Sequence, residues 1–341
     1  MVEQGTHKPL VGGSNPPSAT SPDRPGLAPV VDALAHGADG LRIPAGSPIV
    51  LAVSGGPDST ALMHGAALLA PSRGWGLTVA HLDHALRDRS ADEAAMVMVA
   101  AEAIGISTLV RRTDVRALGA AEHRSLEDAG RQARYRFLEE VAAGIGPDAL
   151  IATAHTADDA AETILLRLAR GSGLRGLRGI PARRGRVVRP LLGARRAILR
   201  AALDAAGIAY SIDPSNADVA HARNRVRAEI LPALERLNPA VVEALARFGR
   251  LAAEDDELLD ALAAAELAVR RDPAGRSLDW RRPPVRALGR RVLRLAIGDP
   301  APSAVRIEAL LDAAEGPRGG VTIELGGGRL GRVTERRIRL E

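Results

Sequence analysis

The sequence predicts a doubly wound, mostly parallel α/β sheet followed by a smaller, mainly helical C-terminal domain. Two observations carry this. From about residue 31, short apolar runs alternate with amphipathic stretches, the signature of strands buried between helices. After Asp213-Pro214-Ser215-Asn216 the alternation stops and the helical period dominates. A hydrophobic content of 46% with only 2% aromatic residues means that Ala, Leu, Val and Ile fill the core.

The elements follow in order. Ile49–Val53, Leu77–Leu82, Thr108–Thr113, Leu150–Thr153 and Val187–Leu191 read as strands. Ser59–Leu69, Ala91–Ala103, Ser125–Ala143, Ala157–Ala169 and Ala194–Ala206 read as helices. Beyond the break, Arg225–Leu237, Pro239–Ala268, Val285–Ala296 and Ala304–Ala314 read as helices, and Val321–Leu340, with Gly326-Gly327-Gly328, reads as a small hairpin. Residues 1–30 are rich in Pro, Ser and Gly, have no periodicity, and are expected to be disordered. Gly13-Ser14-Asn15-Pro16 is what a reading frame through the T-arm of a tRNA gene encodes, so the natural start is expected downstream. This gives three regions: an N-terminal extension (1–30), a sheet domain (31–215) and a helical domain (216–341).

The 341 residues contain no cysteine, which removes disulfides, thiolate catalysis, iron–sulfur clusters and cysteine-based zinc sites. No run is apolar enough to span a bilayer, so a cytoplasmic protein without a membrane partner is expected. The net charge is +5, and Lys8 is the one lysine, so any grip on an anion is made by guanidinium or backbone N–H groups. From Gly171 to Leu203 there is no acidic residue, while Arg183, Arg184, Arg195 and Arg196 all fall there. Such a run is the footprint of a polyanion, or else a solvated surface.

The stretch Ser54-Gly55-Gly56-Pro57-Asp58-Ser59-Thr60 sits between a strand and a helix. A glycine turn at a helix N-terminus converges backbone N–H groups, and the helix dipole adds to them, so a phosphate is the natural occupant. No Gly-Lys-Ser/Thr ending is present, so this is not a Walker A loop. Asp58 stands where a phosphate loop would favour a cation, which points to a shared metal ion. Ligands of such a sheet bind at the carboxyl ends of its strands.

Ser54–Ser59 resembles the PP-loop of the N-type ATP pyrophosphatases, which have an adenine nucleotide alpha hydrolase-like fold. His81-Leu82-Asp83-His84-Ala85-Leu86-Arg87, Gly130–Leu138, Ala154–Thr163, Pro190-Leu191-Leu192, Asp213–Asn216 and Arg223-Asn224-Arg225-Val226-Arg227 extend the match. This ordered set, from about residue 49 to 235, resembles the tRNA(Ile)-lysidine synthase family. The resemblance implies an ATP-dependent ligase that joins L-lysine to C2 of the wobble cytidine of an isoleucine tRNA with a CAU anticodon. ATP adenylates the cytidine and leaves as pyrophosphate; lysine then displaces AMP. The resemblance assigns ATP binding to Ser54, Gly55, Gly56, Pro57, Asp58, Ser59, Thr60 and His84, and Mg2+ to Asp58. Asp58, Arg131 and Arg134 would be catalytic, with Arg131 and Arg134 three apart on one helix face. Ion pairing of these arginines with Glu127, Asp128 or Glu139 is the alternative.

Asp159 and Glu162 share a helix face and would receive the ammonium groups of lysine, while Asp158 would serve as a first-turn acid. Arg183, Arg184, Arg195, Arg196, Arg223 and Arg227 would contact tRNA, and a homodimer is compatible with the pattern. His81, Asp83, His84 and His155 lack the tight spacing of a transition-metal site, so His84 is given to nucleotide or base contact. Thr156-Ala157 departs from the family, which often has a second histidine or a polar residue there. The rival readings are a thiolase-like tRNA-modifying enzyme, which the missing cysteines disfavour, and an inactive tRNA-binding protein.

Overall fold

The computed structural model describes residues 25–85, 90–212, 221–317 and 320–341. The expected start of the chain, Leu86-Arg87 and the Asp213–Asn216 turn lie outside these residues. The chain divides into two compact units. The first comprises residues up to Ala169 and Gly179–Ala246; the second comprises Arg170–Arg178 and Arg247–Glu341.

A 3-10 turn, Pro25–Leu27, leads into α1 (Ala28–Gly40). There follow β1 (Pro48–Ala52), α2 (Pro57–Arg73), β2 (Gly76–Asp83), α3 (Ser90–Glu102), β3 (Ser107–Arg112), α4 (Val115–Ala121) and α5 (Leu126–Ile145). Next come β4 (Leu150–Thr153), α6 (Ala157–Ala169), α7 (Leu174–Leu177), β5 (Arg183–Arg184), β6 (Val187–Val188) and α8 (Arg196–Ala205). After the undescribed stretch come α9 (Ala222–Arg225), a π turn (Val226–Ile230), α10 (Leu231–Leu237) and α11 (Val241–Arg270). The chain closes with β7 (Ser277–Asp279), α12 (Arg286–Ile297), α13 (Ala304–Glu315), β8 (Val321–Gly326), β9 (Arg329–Thr334) and β10 (Arg337–Leu340).

The first sheet has the order β3-β2-β1-β4-β6-β5. Every pairing is parallel except β5 with β6. This is the doubly wound sheet the alternation predicts, with β1 at its centre. Successive side chains of a strand point to opposite faces. Ile49, Leu51 and Val53 enter the core formed with α1, α2, α3 and α8, whereas Val50 joins Phe137, Leu138 and Val141 of α5 on the other face. Burial on both faces explains why the strands read as unbroken apolar runs.

Three expectations change. Residues 25–30 were expected to be disordered but are helical, because Leu27 and Val30 are fully buried in the core. Gly37 of α1 lies so close to the Pro190 carbonyl that a Cβ there would fall 1.8 Å from its oxygen. The strand expected over Val187–Leu191 ends at Val188: the Arg189 N–H bonds to the Ala182 carbonyl, and Pro190 has no N–H to donate. The boundary expected near residue 216 is replaced by a division between Ala246 and Arg247, since Val226, Leu231 and Val242 pack on Ala157 and Ala161 of α6.

The second unit has its own core, in which Trp280, Val292, Leu293, Leu310 and Leu311 are fully or almost fully buried. It contains helices, as expected, and an antiparallel sheet of order β7-β10-β9-β8 that enlarges the expected hairpin. Gly326, Gly327 and Gly328 all have positive φ and form the β8–β9 turn.

Candidate active site

A cavity of about 350 Å³ opens at the carboxyl ends of β1, β2 and β4. Its lining includes Ser54, Asp58, Ser59, His84, Arg131, Arg134, His155, Asp159 and Arg223. This brings the phosphate-loop, helix-arginine and carboxylate motifs to one place, as α/β sheets do with their ligands.

The loop is built by local chemistry. Gly55 has φ of +85°, which a side chain would resist, and this reverses the chain after β1. Gly56 is the N-cap of α2 and offers no side-chain cap, so the N–H groups of the first turn remain donors for an anion. Pro57 occupies the first helical position, where its missing N–H costs nothing. The Ser59 hydroxyl accepts the Ser54 N–H at 3.1 Å and lies 3.2 Å from the Ser54 hydroxyl, holding the loop closed. Thr60 departs from the phosphate-binding expectation: it is 4% exposed, its hydroxyl donates to the Gly55 carbonyl, and it lines a separate apolar cavity with Met63 and Val97.

Asp58 presents one oxygen to Arg196, whose Nε lies 3.1 Å away. Its other oxygen, Oδ1, is buried without a hydrogen-bond partner. Burial pushes its pKa up to about 6, against the Arg196 charge. A buried, unpartnered carboxylate oxygen beside an anion-binding turn fits a magnesium ion, which binds through one or two carboxylates and completes its shell with phosphate and water. No cluster of three or more acidic or histidine ligands exists among the described residues, so only such a shared site fits.

On the far wall, Arg131 lies over the Tyr135 ring, 5.4 Å from its centroid. Arg134 donates to His84 Nε2 at 3.0 Å. A guanidinium cannot accept, so His84 must accept through Nε2 and carry its proton on Nδ1. Burial, then the Arg134 charge, lowers the His84 pKa to about 4, keeping the ring neutral. Asp83 fixes the turn that places His84 by accepting the Ala85 N–H at 2.8 Å. Two of the three partners suggested from sequence are engaged elsewhere: Asp128 with Ser125, Glu139 with Arg186. His84 is therefore a buttress for Arg134. His84→Gln, which keeps an acceptor, is expected to retain most turnover. His84→Phe should lose roughly 10-fold, since misplacing a positioning group by about 1 Å can cost up to ~100-fold. Equal losses in the two variants, measured as pyrophosphate release, would remove this role.

The carboxylates of α6 occupy a denser setting. Asp159 Oδ2 accepts the N–H and hydroxyl of Thr156, while the Asp159 N–H donates back to that hydroxyl. This reciprocal cap gives Asp159 a structural duty as well. Asp158 reaches outward, accepting the Arg196 N–H at 2.8 Å and so capping α8 instead of its own helix. Glu162 is fully buried and meets Arg196, Arg223 and Arg227 at 2.7 to 3.2 Å. Burial opposes the charge on Asp159 and on Glu162, but the arginines outweigh it and hold both pKa values below the usual carboxylate range.

The arginines expected to touch tRNA thus separate into two groups. Arg183 and Arg184 are exposed on β5. Arg195 pairs with Asp158, Glu235 and Glu243. Arg196, Arg223 and Arg227 point inward at the carboxylates. For these four the surface expectation is corrected, because carboxylates already satisfy the guanidiniums. Sequence reasoning missed this inner cluster; His81 and His155, which it weighed only as metal ligands, are instead bonded to the Val53 carbonyl and the Thr153 hydroxyl. Arg196 was in the sequence only as a member of a basic run, and Arg223 only as part of the Arg223–Arg227 motif.

Residues 37–234 match the family model of the PP-loop domain. A tRNA(Ile)-lysidine synthase of Salinispora tropica is 44% identical over 207 residues, covering 59% of this chain and 60% of the relative. That of Geobacter sulfurreducens is 44% identical over 260 residues, covering 74% and 55%. That of Thermus thermophilus is 40% identical over 227 residues, covering 67% and 43%. The chain thus spans about half the length of the curated relatives it matches. A solved U34-tRNA thiolase from Methanococcus maripaludis shares the fold, with a TM-score of 0.55 and 15% identity over 67% of this chain and 78% of that one. The family match covers more than half of the chain, over the loop, cavity and carboxylates described above, and the chain belongs to the PP-loop domain family.

Proposed function

We propose that this protein is an ATP-dependent ligase that forms lysidine from L-lysine and the wobble cytidine of an isoleucine tRNA with a CAU anticodon. One observation carries the reading: an anion-binding turn, two arginines and Asp159 converge on a single cavity, with the buried Glu162 joined to Asp159 through shared arginines. The relatives named above support the choice of substrates.

The residues divide the work. The first-turn N–H groups of α2 and the Ser54 and Ser59 hydroxyls receive the β- and γ-phosphates. Arg131 and Arg134 face the α-phosphate and stabilise charge as it builds there. The cytidine O2 attacks the α-phosphorus and pyrophosphate leaves. The lysine amine then attacks C2, AMP departs with the former O2, and the amine releases its proton. Magnesium held by Asp58 and the phosphates would neutralise charge on the leaving group. Asp159 and Glu162 orient the lysine by its ammonium groups.

Arg183 and Arg184, exposed on β5, are candidates for contact with the tRNA backbone, and the second unit is proposed to make tRNA contacts of its own. A cytidine must be splayed from its loop to enter the cavity. Among the described residues no helix is long and apolar enough to cross a membrane, and the cytoplasm, where tRNA is modified, is the proposed site of action.

The test is direct. The full chain is incubated with ATP, Mg2+, labelled lysine and the CAU-anticodon isoleucine tRNA. Lysine incorporation into tRNA, dependent on ATP, is expected. No incorporation beside an active lysidine synthase control would overturn the reading. The chain has no cysteine, so the thiolase alternative has no thiol on which to stand.

A further inference from the structure

We infer that Arg223 couples the two halves of the site, closing the amine seat until phosphate draws it away. The inference rests on the lysine-ligase reading above. Every oxygen of the carboxylate pair is occupied. Glu162 Oε1 accepts from Arg196 and Arg227, and Oε2 from Arg223 and Arg227. Asp159 Oδ1 accepts from Arg196 at 2.8 Å and Arg223 at 3.1 Å, and Oδ2 is held by Thr156. Three carboxylates, Asp58, Asp159 and Glu162, face three guanidiniums, so the cluster is neutral. An ammonium entering between Asp159 and Glu162 would find no free acceptor on either carboxylate and would bring an unmatched charge into a buried place, which is strongly unfavourable.

Arg223 is the member that can leave. It is the one of the three guanidiniums that also lines the nucleotide cavity, alongside Ser54, Asp58 and Ser59. Its side chain is 38% exposed, against 20% for Arg196, which is pinned by three carboxylates. Arg227 is held in a two-pronged pair by Glu162, with Asp159 Oδ1 a further 3.9 Å from its guanidinium, and does not reach the cavity wall. A triphosphate in the cavity offers Arg223 a partner of higher charge with the same planar, forked geometry. When Arg223 turns to it, Glu162 Oε2 and Asp159 Oδ1 each regain an acceptor position, and the cluster becomes one positive charge short. A lysine ammonium supplies that charge. Nucleotide therefore precedes lysine, and each strengthens the binding of the other by the same factor.

Isothermal titration of L-lysine into the full chain tests this, with and without the α,β-methylene analogue of ATP and Mg2+. In the wild type the analogue should tighten lysine by roughly 10-fold or more, within the usual range of site coupling. Arg223→Gln should bind lysine without the analogue, with a ratio near 1, while Arg227→Gln should keep the wild-type ratio. The reciprocal titration, analogue with and without lysine, needs no variant and should give the same factor. A ratio near 1 in the wild type, or coupling that persists in Arg223→Gln, overturns the inference. If the same preparation still incorporates lysine into tRNA, the ligase reading stands without the coupling. If it neither binds nor incorporates lysine, both fall.

Discussion

Asp58→Asn is expected to lower tRNA-dependent pyrophosphate release by roughly 1,000-fold while leaving tRNA affinity in place. The side chain keeps its size, so the change is one of charge. Asp58 is the second residue of α2, directed at the cavity, with Oδ1 buried and unpartnered. An amide there offers a cation only a neutral oxygen and cannot answer Arg196 with a full charge. The stability consequence runs the other way. Burial raises the Asp58 pKa from 3.8 to about 6, so the folded state holds the proton more tightly than the unfolded chain. That contribution is present below about 3.8 and is lost as pH rises through 6, so at neutral pH the charged group works against folding. Asp58→Asn should therefore melt no lower than the wild type at pH 7. Turnover surviving in this variant would refute the metal role. A fall of several degrees in melting temperature would instead trace the lost activity to the fold.

Glu162→Ala is expected to cost about 3–5 kcal/mol of unfolding free energy, the range for removing one partner from a buried ionic cluster. No part of Glu162 is exposed, and its removal leaves Arg196, Arg223 and Arg227 facing two carboxylates. Glu162→Gln should cost less, since the amide oxygen still accepts, yet it should also lose lysine incorporation. The pH dependence gives a sign. Burial opposes the charge, but Arg227 and Arg196 prevail and hold the folded pKa below 4.5. This stability is present above 4.5 and disappears as pH falls through the folded value. The gap between wild type and Glu162→Gln in urea unfolding should thus be widest near neutrality and close in acid. A gap independent of pH would show that packing, and not charge, makes Glu162 necessary.

The sheet was legible because β1, β2 and β4 are buried on both faces and appear as apolar runs between amphipathic helices. Among the helices that escaped notice, α1 and α4 show why. α1 begins inside a region rich in Pro, Ser and Gly, and its burial depends on α2 and α8, which no local pattern reveals. α4 has only seven residues, and its strongest mark is the single cap from Asp114 to the Ala117 N–H. In the site, the glycine turn and the Asp159/Glu162 spacing could be read because their chemistry lies within seven residues or one helical turn. The partners of Glu162 could not. They are 34, 61 and 65 residues away, and an arginine in a basic run looks the same whether it faces water or a buried carboxylate. Thr60 shows the opposite limit: its place in the motif was right, but the direction of its hydroxyl is set by helix packing.

The contact between Gly37 and Pro190 reaches further than its size suggests. Pro190 lies six residues before Arg196, and the loop between them ends in the Asp158 cap of α8. α1 is therefore the backing against which Arg196, the guanidinium shared by Asp58, Asp159 and Glu162, is set, although every recognisable motif lies later in the chain. A fragment that works is therefore expected to include α1. A fragment cut at the first strand would retain each signature residue and still lose the wall that aims them.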